Sequence, residues 1–229
     1  MIEKEKIAII AITKHGAALA EKLHGSLEHS DLFISLKFKK EIPGKVQFFE
    51  TPIKELTAKI FDTYDALVYI VSLGAVVRTI APFLKDKHTD PAVIVVDDKA
   101  NFAISVLSGH VGGANELTEE IAKLLNAKPV ITTASDVGKT IPVDILGREL
   151  GWTTESGENI TKVSASVVNE EPVGIYQDAG EKNWWKRDTP LPKNFKFFTS
   201  LEELAASDCK AALLITDRIL GDEFKDLLK

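Results

Sequence analysis

Cysteine is almost absent from this chain of 229 residues, which contains only Cys209. A single cysteine cannot form an internal disulfide, and this excludes a scaffold held together by disulfides. The composition is instead typical of a protein from a reducing compartment, so a cytoplasmic location is expected. The expected role of Cys209 is that of a buried structural thiol.

Clusters of basic residues and long apolar runs are also missing. The net charge is −6, and lysine and arginine do not gather in any one segment. A nucleic-acid surface needs such a cluster, so no nucleic-acid partner is expected, although a small anion needs only a few local donors. No apolar run reaches the roughly 18 residues of a membrane helix, so no membrane partner is expected either.

Several motifs of catalytic or metal sites do not occur in the sequence. No two histidines have the spacing of metal ligands and there is no C-x-x-C, which argues against a zinc site held by the protein. The G-x-S-x-G turn of serine esterases and the lysine motif of phosphate-binding loops are also missing. The sequence therefore predicts no metal ligand among its own residues.

Apolar runs alternate with helical patterns, and this alternation predicts an α/β fold. Strands flanked by helices form a mainly parallel, Rossmann-like sheet with helices on its faces. Two consecutive strands, 92–98 and 102–108, are joined by a short turn and predict a hairpin. From about residue 141 the pattern predicts a second, smaller α/β domain that closes with a short helical tail. The predicted domains are 1–140 and 141–229.

A glycine-rich turn, "LSGHVGGANELTEEIA", lies between a predicted strand and a predicted helix. It contains Ser108, Gly109, His110, Gly112 and Gly113. Unpaired amides at the start of a helix attract anions, and glycines let a ligand approach the backbone. The turn is therefore a candidate site for a carboxylate, a phosphate or an oxyanion. A tight turn that needs positive φ angles explains the glycines equally well, and Asn115 could simply cap the helix.

Three further polar turns adjoin predicted strands. Gly74 and Arg78 follow the strand 66–72, and they form either a second anion site or a turn with a surface arginine. Asp90 precedes a strand in "DKHTDPAV", where it could also close a helix end. Thr132, Thr133 and Asp136 in "TTASD" follow the strand that begins at residue 128, as a polar site or as a local turn motif.

A dinucleotide-binding fingerprint is a competing interpretation of the glycine turn. That fingerprint needs G-x-G-x-x-G after the first strand and an acidic residue about twenty residues further on. Gly109, Gly112 and Gly113 do not have this spacing and do not follow the first strand, although Asp136 has a suitable position. The match is partial.

Three consecutive segments resemble the amino-terminal region of the CbiG family of cobalamin-biosynthesis proteins. They are "GAVVRTIAPFLKDKHTDPAVIVVDD", "AISVLSGHVGGANELTEEIAKLL" and "PVITTASD", and the start "IAIIAITKHGAALAEKL" is similar too. The part from about Ile141 to "ALLITDR" resembles the central region of the same family. Typical members continue into a carboxy-terminal domain, whereas this sequence stops at Lys229.

The resemblance implies a cobalt-precorrin-5A hydrolase, which opens a δ-lactone on a cobalt-bearing macrocycle and releases acetaldehyde. Attack by water needs a general base, and His110 is the first candidate. Asp90 or Asp136 would orient His110 or replace it. The amides of Gly112 and Gly113 would stabilise the oxyanion. The cobalt arrives inside the substrate, so the resemblance implies no separate cofactor.

Two other functions remain open from the sequence. The chain could be a non-catalytic tetrapyrrole-binding module that needs a separate carboxy-terminal partner, or a dinucleotide-binding domain; a homodimer is also open. For the hydrolase we expect one cleft at the carboxyl ends of the first domain's strands. Its substrate-binding residues are expected to be Gly74, Arg78, Ser108, Gly109, Gly112, Gly113, Asn115, Thr132 and Thr133.

Overall fold

The structure is a computed structural model that describes residues 6–154, 159–186 and 188–220. The chain divides into two compact units, one up to Thr132 and one from Thr133. The domain boundary placed after residue 140 stays a prediction. No described helix is long and apolar enough to cross a membrane.

The first unit contains a seven-stranded sheet in the order β3-β2-β1-β4-β5-β6-β7. Its strands are β1 (Ile7–Ala11), β2 (Ser30–Ser35), β3 (Val46–Phe49), β4 (Ala66–Ile70), β5 (Ala92–Val96), β6 (Phe102–Leu107) and β7 (Lys128–Val130). Strands β1 to β5 are mutually parallel, β6 runs antiparallel to β5, and β7 runs parallel to β6. The predicted mainly parallel sheet and its hairpin are confirmed.

Four helices cover the two faces of this sheet. They are α1 (Lys14–His24), α2 (Ile53–Ile60), α3 (Leu73–Ile80) and α4 (Ala114–Leu125). Apolar residues of α1 and α4 pack with one face of the sheet, and those of α2 and α3 pack with the other. The central strands are buried on both faces, which explains their nearly continuous apolar sequence.

The strand order creates a crevice between β1 and β4. From β1 the chain returns through α1 on one face to β2, and from β4 it returns through α3 on the other face to β5. The connections therefore leave the neighbouring carboxyl ends of β1 and β4 in opposite directions. In open α/β sheets such a topological switch point is where ligands bind.

The predicted single cleft is wrong, because β6 reverses direction. Leu107, the last residue of β6, pairs with Val93 near the beginning of β5. Ser108 to Gly113 therefore lie at the edge where the parallel strands begin, and Thr132, after β7, lies there too. Gly74 follows β4 at the opposite edge. The hairpin by itself requires the two turns to lie at opposite edges, because its strands are antiparallel and β6 must end where β5 begins.

The second unit has a three-stranded parallel sheet in the order β10-β8-β9. Its elements are α5 (Ala134–Val137), α6 (Ile160–Val168), β8 (Val173–Gln177), β9 (Phe195–Phe198), α7 (Leu201–Ala205) and β10 (Ala211–Ile215). This confirms the predicted smaller α/β fold. The predicted helical tail lies outside the described residues. Cys209 is half-buried rather than buried.

One detail of the first unit differs from the predicted pattern, and a second, the predicted interruption of a helix near Pro82, is confirmed. Strand β3 was missed, because it is a short edge strand whose residues are half-buried or exposed. Helix α3 ends at Ile80 and continues as a 3₁₀ turn over Ala81–Phe83. Pro82 explains this ending, since its nitrogen cannot donate the next helical hydrogen bond.

Candidate functional site

The predicted site residues of the first unit lie at two opposite edges of the sheet. The carboxyl edge consists of the turns 13–16, 72–74 and 97–98, which follow β1, β4 and β5. The amino edge consists of Asp90, the glycine turn 108–113 and Thr132. The structure brings the residues of each edge together and separates the two groups.

At the amino edge, the glycine turn is held mainly by its own backbone. Ser108 has a left-handed backbone with φ 56°, and its hydroxyl donates to the carbonyl of Asp90 at 2.9 Å. The amides of Ala114 and Asn115 donate to the carbonyls of Ser108 and Gly109, at 3.2 and 3.0 Å. These are amides that would otherwise be unpaired at the start of α4.

The two glycines next to α4 have steric reasons to be glycine. Gly113 has φ 76°, and a Cβ at Gly112 would lie 2.5 Å from the Cβ of Ser108. The Gly113 amide donates to the carbonyl of His110 at 3.0 Å. In this conformation the N–H closes the turn, and its role as an oxyanion donor stays a prediction. The tight-turn alternative explains both positions.

Asn115 and Gly109 fix the contact between α4 and β6. The buried side chain of Asn115 accepts a hydrogen bond from the Ser105 hydroxyl at 2.7 Å. A Cβ at Gly109 would lie 2.8 Å from Oδ1 of Asn115. The Asn115 amide thus occupies the space that a larger residue at 109 would need, which gives both residues a packing role.

Asp90 is buried and closes the turn before β5. Both of its carboxylate oxygens accept from the amide of Lys85, at 3.0 and 3.1 Å. It supports the glycine turn through its backbone carbonyl, which binds Ser108. The carboxylate therefore holds the chain locally, and its catalytic role stays a prediction. His110 is half-buried within the same turn.

The "TTASD" residues are divided between the two units. Thr132 ends the first unit, and its side chain is exposed. Thr133 and Asp136 belong to the second unit, where the Asp136 amide donates to the Thr133 carbonyl at 3.0 Å as α5 begins. Asp136 lies in this helix and not at a strand end. Together with the antiparallel β6 before the glycine turn, this removes the structural basis for a dinucleotide fingerprint.

At the carboxyl edge, Gly74 and Arg78 share one face of α3. The Arg78 guanidinium donates through Nη1 to the Gly74 carbonyl at 3.1 Å, and both residues are exposed. The guanidinium is therefore turned back toward the end of β4. Its other N–H groups could bind a carboxylate.

Three polar residues that sequence reasoning missed meet at the same edge. The Thr13 hydroxyl donates to Oδ1 of Asp98 and accepts from the Gly16 amide at 3.0 Å. Nδ1 of His15 lies 3.9 Å from the other oxygen of Asp98. The available signal was "TKHG" directly after the first strand and "DD" directly after β5.

Gly16 lets α1 approach this edge closely. A Cβ at Gly16 would lie 2.7 Å from Oγ1 of Thr13 and 3.2 Å from the carbonyl of Ile70. The first turn of α1 therefore rests directly on the end of β4. This contact places Thr13 and His15 beside the crevice between β1 and β4.

The amino edge also contains a buried carboxylate, that of Asp31, which is held by hydrogen bonds from two side chains. The carboxylate of Asp31 accepts from Tyr64 at 2.6 Å and from Lys45 at 2.7 Å. Burial raises the pKa of Asp31, but the hydrogen bonds from Lys45 and Tyr64 outweigh it, so the net pKa is lowered. This network ties β2 to the segments before β3 and β4.

Among the described residues, no group of three or more His, Cys, Asp or Glu is placed to hold a metal ion. The polar groups of the carboxyl edge include the imidazole of His15, the carboxylate of Asp98, the hydroxyl of Thr13 and the guanidinium of Arg78. Such a set can bind a carboxylated molecule and transfer a proton to or from it.

Two family models together cover most of the chain. The model described as cobalamin synthesis G N-terminal matches residues 55–136, and the cobalamin biosynthesis central region matches residues 141–228. The chain belongs to the CbiG family. The family resemblance found in the sequence is thereby confirmed.

Curated CbiG relatives extend the match to the start of the chain. A cobalt-precorrin-5A hydrolase of Priestia megaterium is 51% identical over 97% of this chain and 60% of its own length. A protein of the same name from Salmonella typhimurium is 38% identical over 78% of this chain and 50% of its own length. The chain thus spans between half and about three fifths of these two relatives.

A solved structure gives a further similarity. A cobalamin biosynthesis protein G homolog from Sulfolobus solfataricus is 26% identical, with a TM-score of 0.48 over 96% of this chain and 60% of that one.

Proposed function

We propose that this chain is the amino-terminal and central part of a cobalt-precorrin-5A hydrolase, an enzyme of corrin-ring biosynthesis. The observation that carries the proposal is the 51% identity to a protein of that name over 97% of the chain. The reaction is hydrolysis of a lactone on a cobalt-bearing macrocycle, with release of acetaldehyde. The cobalt belongs to the substrate, and the proposed location is the cytoplasm.

The substrate defines what the protein must supply. Water attacks the lactone carbonyl, so a base must take a proton from it, and a donor must stabilise the oxyanion of the tetrahedral intermediate. The macrocycle also carries carboxylates, for which Arg78 at the carboxyl edge is a suitable partner. His110, Asp90 and Asp136 remain the bases proposed from the sequence. Gly112 and Thr132 remain candidate contacts.

A second candidate function follows from the length of the chain. Because it spans 60% of the Priestia megaterium relative, a carboxy-terminal partner could be required for turnover. In that case this chain binds the macrocycle and a separate subunit completes the enzyme. A homodimer is the other proposed assembly.

One assay separates these functions. The purified chain is incubated with the cobalt-bearing lactone, alone and with the missing carboxy-terminal region of the relative, and acetaldehyde is measured. Release by the chain alone supports a complete hydrolase, and release only with the added region supports the binding module. If neither mixture releases acetaldehyde although the chain is folded by circular dichroism, the proposed reaction is wrong.

A further inference from the structure

We infer that His15, positioned by Asp98, is the general base that activates water at the carboxyl edge. The inference rests on the proposed function, since it assigns a residue to the lactone hydrolysis. It depends on a contact between residues that are far apart in sequence, and neither the family models nor the names of the relatives specify it.

Side chains that follow two strands form the arrangement, across the end of the strand between them. Thr13 and His15 follow β1, Asp98 follows β5, and β4 lies between these strands in the sheet. Asp98 therefore reaches across the end of β4 to bind the Thr13 hydroxyl. Its second oxygen is left facing Nδ1 of His15 at 3.9 Å, about 1 Å longer than a hydrogen bond. The inferred hydrogen bond requires these two exposed side chains to move closer by that amount.

The hydroxyl of Thr13 limits the freedom of Asp98. It accepts from the Gly16 amide within the first turn of α1 and donates its own proton to Asp98. Asp98 is thus held at one oxygen, and the other can accept from His15. In this form Nδ1 of the imidazole carries the proton, and Nε2 is left unprotonated to act as a base.

The position within the fold favours a catalytic use of this pair. It lies at the crevice between β1 and β4, where the strand order reverses and ligands of open α/β sheets bind. The side chains of His15 and Asp98 are 53% and 46% exposed, so a substrate can reach them. Arg78 lies on the helix that begins at the same crevice.

The neighbouring surface suits a methylated, carboxylated macrocycle. Leu73 and Val77 on α3 are exposed by 39% and 48%. They form a row along the helix next to the row that contains Gly74 and Arg78. Apolar contact with the ring and one cation for a peripheral carboxylate would hold the lactone over His15. Gly74 leaves open space at this point, since only Arg78 lies near its missing Cβ.

The step balances with water as the only co-reactant. Nε2 of His15 takes one proton as the water oxygen bonds to the lactone carbonyl carbon. The tetrahedral intermediate then collapses, and the ring C–O bond breaks. The proton on His15 passes to the departing alkoxide, so the products are a carboxylic acid and an alcohol and the imidazole is neutral again.

His15 and His110 cannot serve the same lactone within the first unit. They lie at opposite edges of the sheet, which are separated by the length of a five-residue strand, roughly 16 Å. The two assignments therefore make different predictions for single variants.

The kinetic test compares His15→Ala with His110→Ala in the 229-residue chain, with the carboxy-terminal region of the relative added where turnover needs it. The control is His29→Asn, because His29 is also a surface histidine, 45% exposed, and asparagine tolerates its φ of 58°. We expect His15→Ala to lower kcat by about 10²–10⁴ with little change in KM. Added imidazole should restore part of the rate, since the site is open. His29→Asn should match the wild type.

A positioning role for Asp98 predicts a separate result. In Asp98→Asn the amide oxygen can still accept from Thr13, so the local fold is kept, but the charge that orients His15 is lost. We expect kcat to fall by about 10- to 100-fold without a rise in KM. Asp98→Glu should recover part of the loss, which a merely structural role would not produce.

A measurement without turnover makes the inference testable even in an inactive chain. Nitrogen-15 NMR of the imidazoles at pH 8 should show His15 protonated at Nδ1, and Asp98→Asn should restore the usual Nε2 tautomer. The inference is overturned if wild-type His15 has the same tautomer as His29. It is equally overturned if His15→Ala keeps more than a third of the wild-type kcat, or loses activity that imidazole cannot restore. Absence of acetaldehyde from every mixture would instead contradict the proposed function.

Discussion

The two edges of the first sheet use polar and glycine residues for different purposes. At the amino edge, the glycine turn bonds to its own backbone, Asp90 accepts from the nearby Lys85 amide, and buried Asp31 is held by Lys45 and Tyr64. At the carboxyl edge, Thr13 and His15 after β1 meet Asp98 after β5 beside a crevice. A dense motif in the sequence therefore marks a demanding backbone conformation here, while the side chains arranged for chemistry come from short, scattered segments.

The largest loss of stability is expected for Gly112→Ala at the amino edge. The new Cβ would lie 2.5 Å from the Cβ of Ser108 and 2.9 Å from its carbonyl oxygen, and backbone cannot move away cheaply. We expect the free energy of unfolding to fall by about 3 kcal/mol, the upper part of the range for overpacking. Urea unfolding monitored by circular dichroism measures this. An unchanged midpoint would show that the turn is not the rigid element described above.

Asp31→Asn should cost somewhat less, about 2 kcal/mol at pH 7, because Lys45 loses its buried carboxylate partner while Tyr64 keeps an acceptor. The folded-state pKa of Asp31 is lowered, so its contribution is present above the unfolded value of about 3.9 and is lost as the pH falls through the folded value. The difference in stability between wild type and variant should therefore shrink below about pH 4. A difference that is constant from pH 7 to pH 2.5 would contradict the ionised network.

Gly16→Ala probes the carboxyl edge by displacing a side chain. Its Cβ would lie 2.7 Å from Oγ1 of Thr13, which can shift, and 3.2 Å from the backbone carbonyl of Ile70. We expect a loss of about 1 kcal/mol in stability. The loss of kcat should be larger, about tenfold, since Thr13 holds Asp98. If the loss of kcat relative to the loss of stability were the same in Gly16→Ala and Gly112→Ala, the distinction between the two edges would be removed.

The smallest effect is expected for Gly74→Ala. Gly74 lies in the first turn of α3 with open space around it, and its nearest neighbour would be Nη1 of Arg78 at 3.5 Å. Alanine reduces the freedom of the unfolded chain, so we expect stability to rise by up to about 0.5–1 kcal/mol. Thermal unfolding beside Gly112→Ala provides the comparison. Destabilisation by Gly74→Ala would mean that this glycine is as constrained as those of the amino edge.

Much of the fold could be predicted from local patterns. The parallel strands form continuous apolar runs in the sequence because both faces of the sheet are covered, and the short turn 99–101 indicated a hairpin. The glycines at 112 and 113 could be recognised as a demanding turn. Strand β3 could not be recognised, because a short edge strand buries too little apolar surface to impose a clear alternation of apolar and polar residues.

The sequence by itself determined the fold class, the glycine turn and the CbiG family, since each depends on residues that are close together in the chain. The tertiary structure alone decided which turns share an edge. Gly74 and Gly112 look alike as glycines that follow strands, yet β6 runs antiparallel to β5 and places them at opposite ends of the sheet. Likewise Thr13 and Asp98 are separated by 85 positions, and only the order β1-β4-β5 makes them neighbours. Strand order and direction depend on packing over the whole unit, which no local pattern records.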